Sequence, residues 1–311
     1  LINGDSAVAM KSIPDETMDF MIYSPPFPEL YHYSDDSRDM SNCVTYEEGM
    51  NHYEFIVKEK YRTLKPGRLT AVHCMDLKSG LFQRDFPGDI IKLHEKAGFK
   101  YFTRITIWKD PWDVARRTRM RSLMHKSLVE DSAKCTVAGA DYLVVMKKPG
   151  ENKEPVTHKE CLKEYAGETP IPAYLVKEYA NFKGDPKLHR LSHWIWRQYA
   201  SCVWMDIRPG RLLPFDEAKE NDEEKHVCPL QLDVIERCLV LWSNPGDNIL
   251  TPFMGVGSEA YGAVINGRKA MGIELKPTYY RQAVKNLEYA HLHGKEGAQL
   301  NLLTGTKKAV E

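Results

Sequence analysis

The run DFMIYSPPFPELYHY, residues 19–33, opens as a buried strand and stops on Ser24, Pro25, Pro26 and Phe27. Proline has no N–H to give a sheet ladder and holds the residue before it extended. Two in succession therefore forbid both continuation of the strand and an ordinary helix start. The chain is held stiffly at a strand end, where it displays a hydroxyl and an aromatic ring.

Around that stop the pattern alternates. Asp5 is placed to cap a helix over Ser6–Ser12, and the Pro14–Asp15 turn leads into an apolar strand, Met18–Tyr23. Thr45, with Glu48 three residues on, is a capping box, and Met50, Tyr53, Val57, Tyr61 and Leu64 recur at helical spacing until Lys65–Pro66–Gly67. Strands are expected at Leu69–Met75, Tyr101–Trp108 and Tyr142–Met146. A helix over Leu230–Trp242 stops at Asn244–Pro245–Gly246–Asp247. Strand Ile249–Phe253, helix Ser258–Ile265 and strand Ala270–Leu275 follow. Such alternation predicts an α/β fold, a mostly parallel sheet with an antiparallel hairpin and helices on both faces. From about residue 151 to 223 charge and proline rise and periodicity fades around HRLSHWIWRQYASCVW, which reads as a small insert module. Residues 291–311 read as a tail.

The last βαβ unit carries Gly255 and Gly257 in its loop and Glu274 at the end of its second strand. Glycines there let backbone approach a ligand, and an acidic residue so placed can accept both hydroxyls of a ribose. Glu274 follows Gly257 at close to the ~20-residue spacing of that pattern. Ala260 stands where a third glycine would complete GxGxxG, so a nucleoside without pyrophosphate fits better than a dinucleotide.

Charge excludes little. Lys plus Arg (43) equals Asp plus Glu (43), so any nucleic-acid surface is local. Arg116, Arg117, Arg119, Arg121 and Lys126 form such a patch between two strands and are candidate phosphate contacts rather than a merely solvated loop. The seven cysteines form no CxxC pair, which fits reduced thiols in a cytoplasmic protein. His158 with Cys161 lacks a following P-C-x-x-C, and His189 and His193 lack a paired CxxC, so no metal is expected. No apolar run approaches the roughly 20 residues of a membrane span.

SPPF after a strand, TPFMGVGSEAYGA and GRKAMGIELKPTYYRQAVKNL resemble the permuted (β-group) S-adenosylmethionine-dependent DNA amino-methyltransferases of cytosine N4 and adenine N6. INGDSAVAMKSIPDETMDFMIYSPPF, LKPGRL and HVCPLQLDVIERCLVLWSNPGD extend the resemblance over most of the chain outside residues 151–223. It implies a circularly permuted Rossmann-like sheet, with residues 1–150 as the catalytic half, 151–223 as target-recognition insert and 224–290 as the cofactor half. Asp5, Ser6, Pro252, Phe253, Gly255, Gly257, Ser258 and Glu274 would then bind S-adenosylmethionine. Thr251 departs from the Asp that most members carry. Ser24 and the Pro25 carbonyl would accept the amino N–H groups of a flipped base, Pro26 would stiffen the turn and Phe27 would stack on the base. DNA is the implied partner, with a homodimer or larger complex as assembly and a bacterial or phage origin. Serine at position 24 favours cytosine N4 over adenine N6. Competing readings are methylation of RNA or of a protein glutamine, whose enzymes carry Asn in place of Ser24, and a noncatalytic subunit.

Overall fold

In the computed structural model, which describes residues 1–27, 39–79, 82–118, 121–214 and 229–305, one central sheet organises the chain. Its first half is built from β1 (Ile2–Asn3), α1 (Ser6–Ala9), β2 (Met18–Tyr23), α2 (Tyr46–Thr63) and β3 (Leu64–Met75). A separate ribbon, β4 (Leu77–Ser79) with β5 (Phe82–Arg84), leads to α3 (Phe86–Lys96) and β6 (Lys100–Ile107). Helices α4 (Pro111–Thr118) and α5 (His125–Glu130) precede β7 (Asp141–Lys147), and α6 (Ala173–Asn181), α7 (Arg190–Tyr199) and β8 (Val203–Trp204) follow it. The chain then runs through α8 (Leu232–Trp242), β9 (Asn248–Thr251), α9 (Ser258–Ile265), β10 (Lys269–Glu274) and α10 (Pro277–Gly305).

The strand order is β1-β10-β9-β2-β3-β7-β6-β8, parallel throughout except that β7 runs antiparallel to both β3 and β6. From β9 the chain crosses through α9 to β10 on one side; from β2 it crosses through α2 to β3 on the other. The crevice between β9 and β2 is therefore the topological switch point, where ligands of open α/β sheets bind. Alternation explains the two covered faces. Met21 and Tyr23 join Tyr53, Val57, Phe86 and Ile90 on one face, while Phe20 and Ile22 join Ile235, Leu239 and Tyr261 on the other.

Two boundaries differ from expectation by more than a residue or two. β3 begins at Leu64 rather than Leu69, because Gly67 takes φ 73° and its N–H donates to Lys148 O at 2.9 Å, so Lys65–Pro66–Gly67 is absorbed as an irregularity opposite β2. Residues 291–305, expected as tail, continue α10 past a break at Gly294, since His, Lys, Glu, Ala, Gln and Leu there are compatible with helix. Within the segment from 151, Leu175, Leu191, Ile195 and Tyr199 form a small apolar cluster of their own. It is also tied to the sheet: β8 pairs with β6, and buried Arg237 of α8 donates to Ala166 O at 2.6 Å and to Asp206 at 2.8 Å among the rings of Tyr165, Tyr199 and Trp204.

Beneath β2 lies a buried amine. Lys60 of α2 is fully buried, donates to Tyr23 Oη and sits 2.7 Å from His94 Nε2, whose Nδ1 bonds Ile90 O. Among the described residues no carboxylate pairs with it, so burial drives its pKa well below the usual lysine range. The unfolded chain then binds a proton that the folded chain does not, and stability rises with pH up to the unfolded lysine value of about 10.4. Thermal unfolding between pH 7 and 9.5, above the unfolded histidine range, should show wild type gaining stability relative to Lys60→Met, a difference that isolates Lys60 from carboxyls and thiols whose raised pKa values act in the opposite sense. An unchanged difference would mean that Lys60 is charged in the folded state.

Candidate active site

Strand ends β2, β3, β6 and β7 converge beside the crevice. Ser24, the residue after β2, places Oγ 2.9 Å from His73 Nδ1, and His73 Nε2 lies 2.9 Å from Asp141 Oδ2. Lys109, two residues past β6, pairs with the same carboxylate oxygen. The β3–β7 ladder sets this up: His73 faces Leu143 and Asp141 faces Met75, so His73 and Asp141 are diagonal neighbours on one face. Burial pushes the Asp141 carboxyl up, but His73 and Lys109 outweigh it and hold the pKa at about 2. A carboxylate only accepts hydrogen bonds. The hydrogen-bond pattern therefore assigns the imidazole proton to Nε2 and leaves the Nδ1 lone pair facing Ser24. The Ser24 hydrogen goes to His73, and the serine oxygen keeps its lone pairs for another donor.

Pro25 is buried and Pro26 half-buried, which fixes this turn. The Phe27 ring packs edge-on against Phe86 at 5.9 Å. Asp76, past the end of β3, is half-buried, and burial and then Asp85 raise its pKa.

Across the crevice the loop after β9 turns on Gly255 (φ 54°) and Gly257 (φ 92°), both left-handed. Added side-chain carbon at Gly255 would point into open space, whereas at Gly257 it would press to 3.0 Å from Ala283 Cβ. Glu274 at the end of β10 accepts the Gly255 N–H at 2.7 Å and the Lys276 N–H at 2.8 Å. Burial raises its pKa to about 7 despite these bonds. Buried Glu259 is pushed up to about 8, by burial first and then by Glu274. Ser6 Oγ donates to Pro252 O, and Asp5 caps α1 by accepting the Ala7 N–H at 2.7 Å, so this pair braces the loop from below. Phe253 packs on Tyr23 at 5.7 Å and Tyr53 at 6.1 Å. Two buried hydroxyls, Thr251 Oγ1 and Ser258 Oγ, lack a hydrogen-bond partner among the described residues. Left so, each costs about 1–3 kcal/mol, which marks the loop as built to receive polar atoms.

The basic patch is only partly described. Arg116 is exposed on α4, and Lys126, on α5, lies 3.5 Å from Glu130. Arg119 lies outside the described residues, as do the side chains of Arg117 and Arg121. His189 caps α7 by accepting the Ser192 N–H, and His193 bonds Lys187 O, so the two serve local structure. Sequence reasoning missed His73, Asp141 and Lys109. The one available signal was a histidine inside an otherwise apolar strand.

A sheet with its switch point between a glycine loop and a rigid acceptor turn defines a nucleotide-dependent group-transfer site. The profile of a family described as DNA methylase (N6_N4_Mtase) matches residues 18–285, and the chain belongs to that family. The type II methyltransferase M.BamHI of Bacillus amyloliquefaciens is 24% identical over 88% of this chain, which spans about half (54%) of that enzyme's length. The DNA adenine methyltransferase YhdJ of Escherichia coli is 22% identical over 95% of this chain and 85% of its own. Among solved structures, TTHA0409 of Thermus thermophilus complexed with S-adenosyl-L-methionine matches with a TM-score of 0.60 at 19% identity, over 93% of this chain and 92% of that one. The cytosine-N4-specific PvuII DNA methyltransferase matches with a TM-score of 0.53 at 14% identity, over 97% and 92%. These structural likenesses establish the fold, a Rossmann-like methyltransferase sheet.

The loop geometry predicts a difference between its glycines. Gly257→Ala should lower the unfolding free energy by about 1–3 kcal/mol, because strain at positive φ adds to the contact with Ala283, and Gly255→Ala should cost less. Denaturant titration of both variants checks this, and equal losses would refute the contact argument.

Proposed function

We propose that this chain transfers a methyl group from S-adenosylmethionine to an exocyclic amino group of a flipped DNA base, cytosine N4 being favoured. The observation that carries the reading is Ser24, held as an acceptor by His73 at 2.9 Å beside the glycine loop. An exocyclic amine is a weak nucleophile because its lone pair is delocalised into the ring. Acceptors on both N–H groups return density to nitrogen, and acceptors fixed in advance act most strongly where charge develops.

S-adenosylmethionine, when bound, supplies the methyl group as a sulfonium substituent. The residues present fit it: the Glu274 carboxylate suits ribose hydroxyls, Gly255 leaves open space, and the unpartnered Thr251 and Ser258 hydroxyls offer polar contacts. Thr251 thus supplies a hydroxyl where most members carry Asp. Ser24 Oγ and the Pro25 carbonyl accept from the amine, Phe27 stacks on the base, and placement in line supplies much of the acceleration. Arg116 and Lys126, with Arg117, Arg119 and Arg121, contact phosphates, and the segment 151–223 reads the target. The catalytic half is residues 1–150 and the cofactor half 224–290.

Serine at position 24 favours cytosine; the likeness to an adenine methyltransferase of Escherichia coli favours adenine N6 as the second reading. Incubation with methyl-labelled S-adenosylmethionine and unmethylated DNA, followed by nucleoside mass spectrometry, should give N4-methylcytosine. N6-methyladenine would keep the chemistry and overturn the base. Neither product, with cofactor binding shown, would overturn the function in favour of RNA or a noncatalytic subunit.

Cofactor affinity should depend on Glu274. Its carboxylate form accepts the ribose hydroxyls, and with a pKa of about 7 affinity should fall as pH drops from 8 to 6. Glu274→Gln should weaken binding by roughly 10–100-fold, as for lost charged hydrogen bonds, and flatten that dependence. Calorimetry with Glu259→Gln as control separates the two carboxyls, and a slope that follows Glu259 instead would refute the assignment.

A further inference from the structure

Ser24 alone could accept from an amine, yet a free hydroxyl can equally turn its hydrogen into the crevice and donate. His73 removes that choice, because Asp141 takes the Nε2 hydrogen at 2.9 Å and leaves only Nδ1 to face Ser24 at 2.9 Å. The same arrangement does more than orient a hydroxyl. It sets an unprotonated imidazole nitrogen one hydrogen bond behind the atom that touches the substrate, which is the geometry of a positioned base.

Resting on the amino-methylation reading, we infer that His73, oriented by Asp141, is the final acceptor of the proton that the amino group loses, with Ser24 as relay. The nitrogen bonds to the methyl carbon while the pair of the broken carbon–sulfur bond stays on sulfur, so the nitrogen becomes cationic. It gives one N–H proton to Ser24 Oγ, and the Ser24 hydroxyl proton passes to His73 Nδ1. The imidazolium is held by Asp141 and later returns the proton to solvent, to which the His73 side chain keeps 13% exposure. His73 and Asp141 are positioning residues here, since of these three only Ser24 meets the substrate.

The charges around the imidazole suit this cycle. Asp141 is 3% exposed, so its carboxylate acts where screening by water is weak. Lys109 pairs with the oxygen that His73 uses. That contact shares the carboxylate between the two residues, and the carboxylate remains close enough to stabilise the imidazolium once formed.

Asp141→Asn tests the chain at constant shape. The amide oxygen can still accept from Nε2 and from Lys109, which share that position, but the negative charge that stabilises the imidazolium is gone. Single-turnover methyl transfer to DNA is measured for wild type, Ser24→Ala, Asp141→Asn, His73→Gln and the Ser24→Ala/Asp141→Asn double variant, with S-adenosylmethionine affinity by calorimetry. Asp141→Asn and His73→Gln should each slow transfer by ~10²–10⁴. Affinity should stay within about threefold, and the double variant should fall no more than about threefold below the slower single one, because the two residues act as a unit. Independently of activity, nitrogen NMR of labelled histidine should show His73 protonated on Nε2 alone in the wild type. Should Asp141→Asn fail to fold, His73→Gln and the wild-type tautomer decide. Multiplicative losses, an Asp141→Asn rate near wild type, or an Nδ1-protonated or fully protonated His73 in the wild type would overturn the relay. A wild type that binds cofactor but methylates no base would overturn the proposed function instead.

Discussion

One bridge at the amino ends of the strands underlies the whole carboxyl edge. Arg68 Nη2 contacts Asp19 of β2 and Asp247, which precedes β9, both at 2.8 Å, with all three residues buried. Asp19 also accepts the Asn248 N–H at 2.9 Å and pairs with Lys65, and although burial opposes it, these partners keep its pKa low. Strands more than two hundred residues apart in sequence are thereby locked in register. Removing one member of such a bridge costs about 3–5 kcal/mol because its partner is left buried and charged. Because β2 and β9 are held at this end, Ser24 and the glycine loop emerge side by side at the other.

Buried cations are handled in contrasting ways on the two faces. Lys60, with no carboxylate partner among the described residues, has its pKa driven down by burial among tyrosines and a histidine, and serves as packing under β2. Arg237 cannot lose its proton and is paired with Asp206 among three aromatic rings. Arg211 next to it pairs with both Asp233 and Glu236. These bonds fix the segment from Ala166 to Arg211 against α8, so a surface there that reads DNA would be presented at a set height above the sheet. A target-reading element attached only by its two chain ends would lack that definition.

Legibility followed the range of the interaction. Strand Met18–Tyr23 and helix Ser258–Ile265 have the bounds that their local patterns predict, since runs of apolar residues, caps and breakers act within a few residues. The bend at Lys65–Pro66–Gly67 reads locally as a terminator, and only the Gly67 bond to Lys148, far along the chain, lets the strand start before it. The acceptor turn was visible because two prolines stiffen it by covalent geometry. Its support was not: His73 meets Asp141 through the register of an antiparallel ladder, and nothing within either strand states that register.

This division explains how base choice can vary on a constant chemical core. Cytosine N4 and adenine N6 each present two N–H groups, so on the proposed reading a serine oxygen and a proline carbonyl can accept from either, and serine at position 24 only tilts the choice toward cytosine. The relay behind Ser24 sees only the proton and is blind to the ring that bore it. On that reading the rest of the discrimination comes from what bounds the ring: its depth against Phe27, which rests on buried Phe86, and contacts to its remaining edge. Under the proposed function, the rigid end of β2 would set the reaction, and the surroundings of the ring would set which base reaches it.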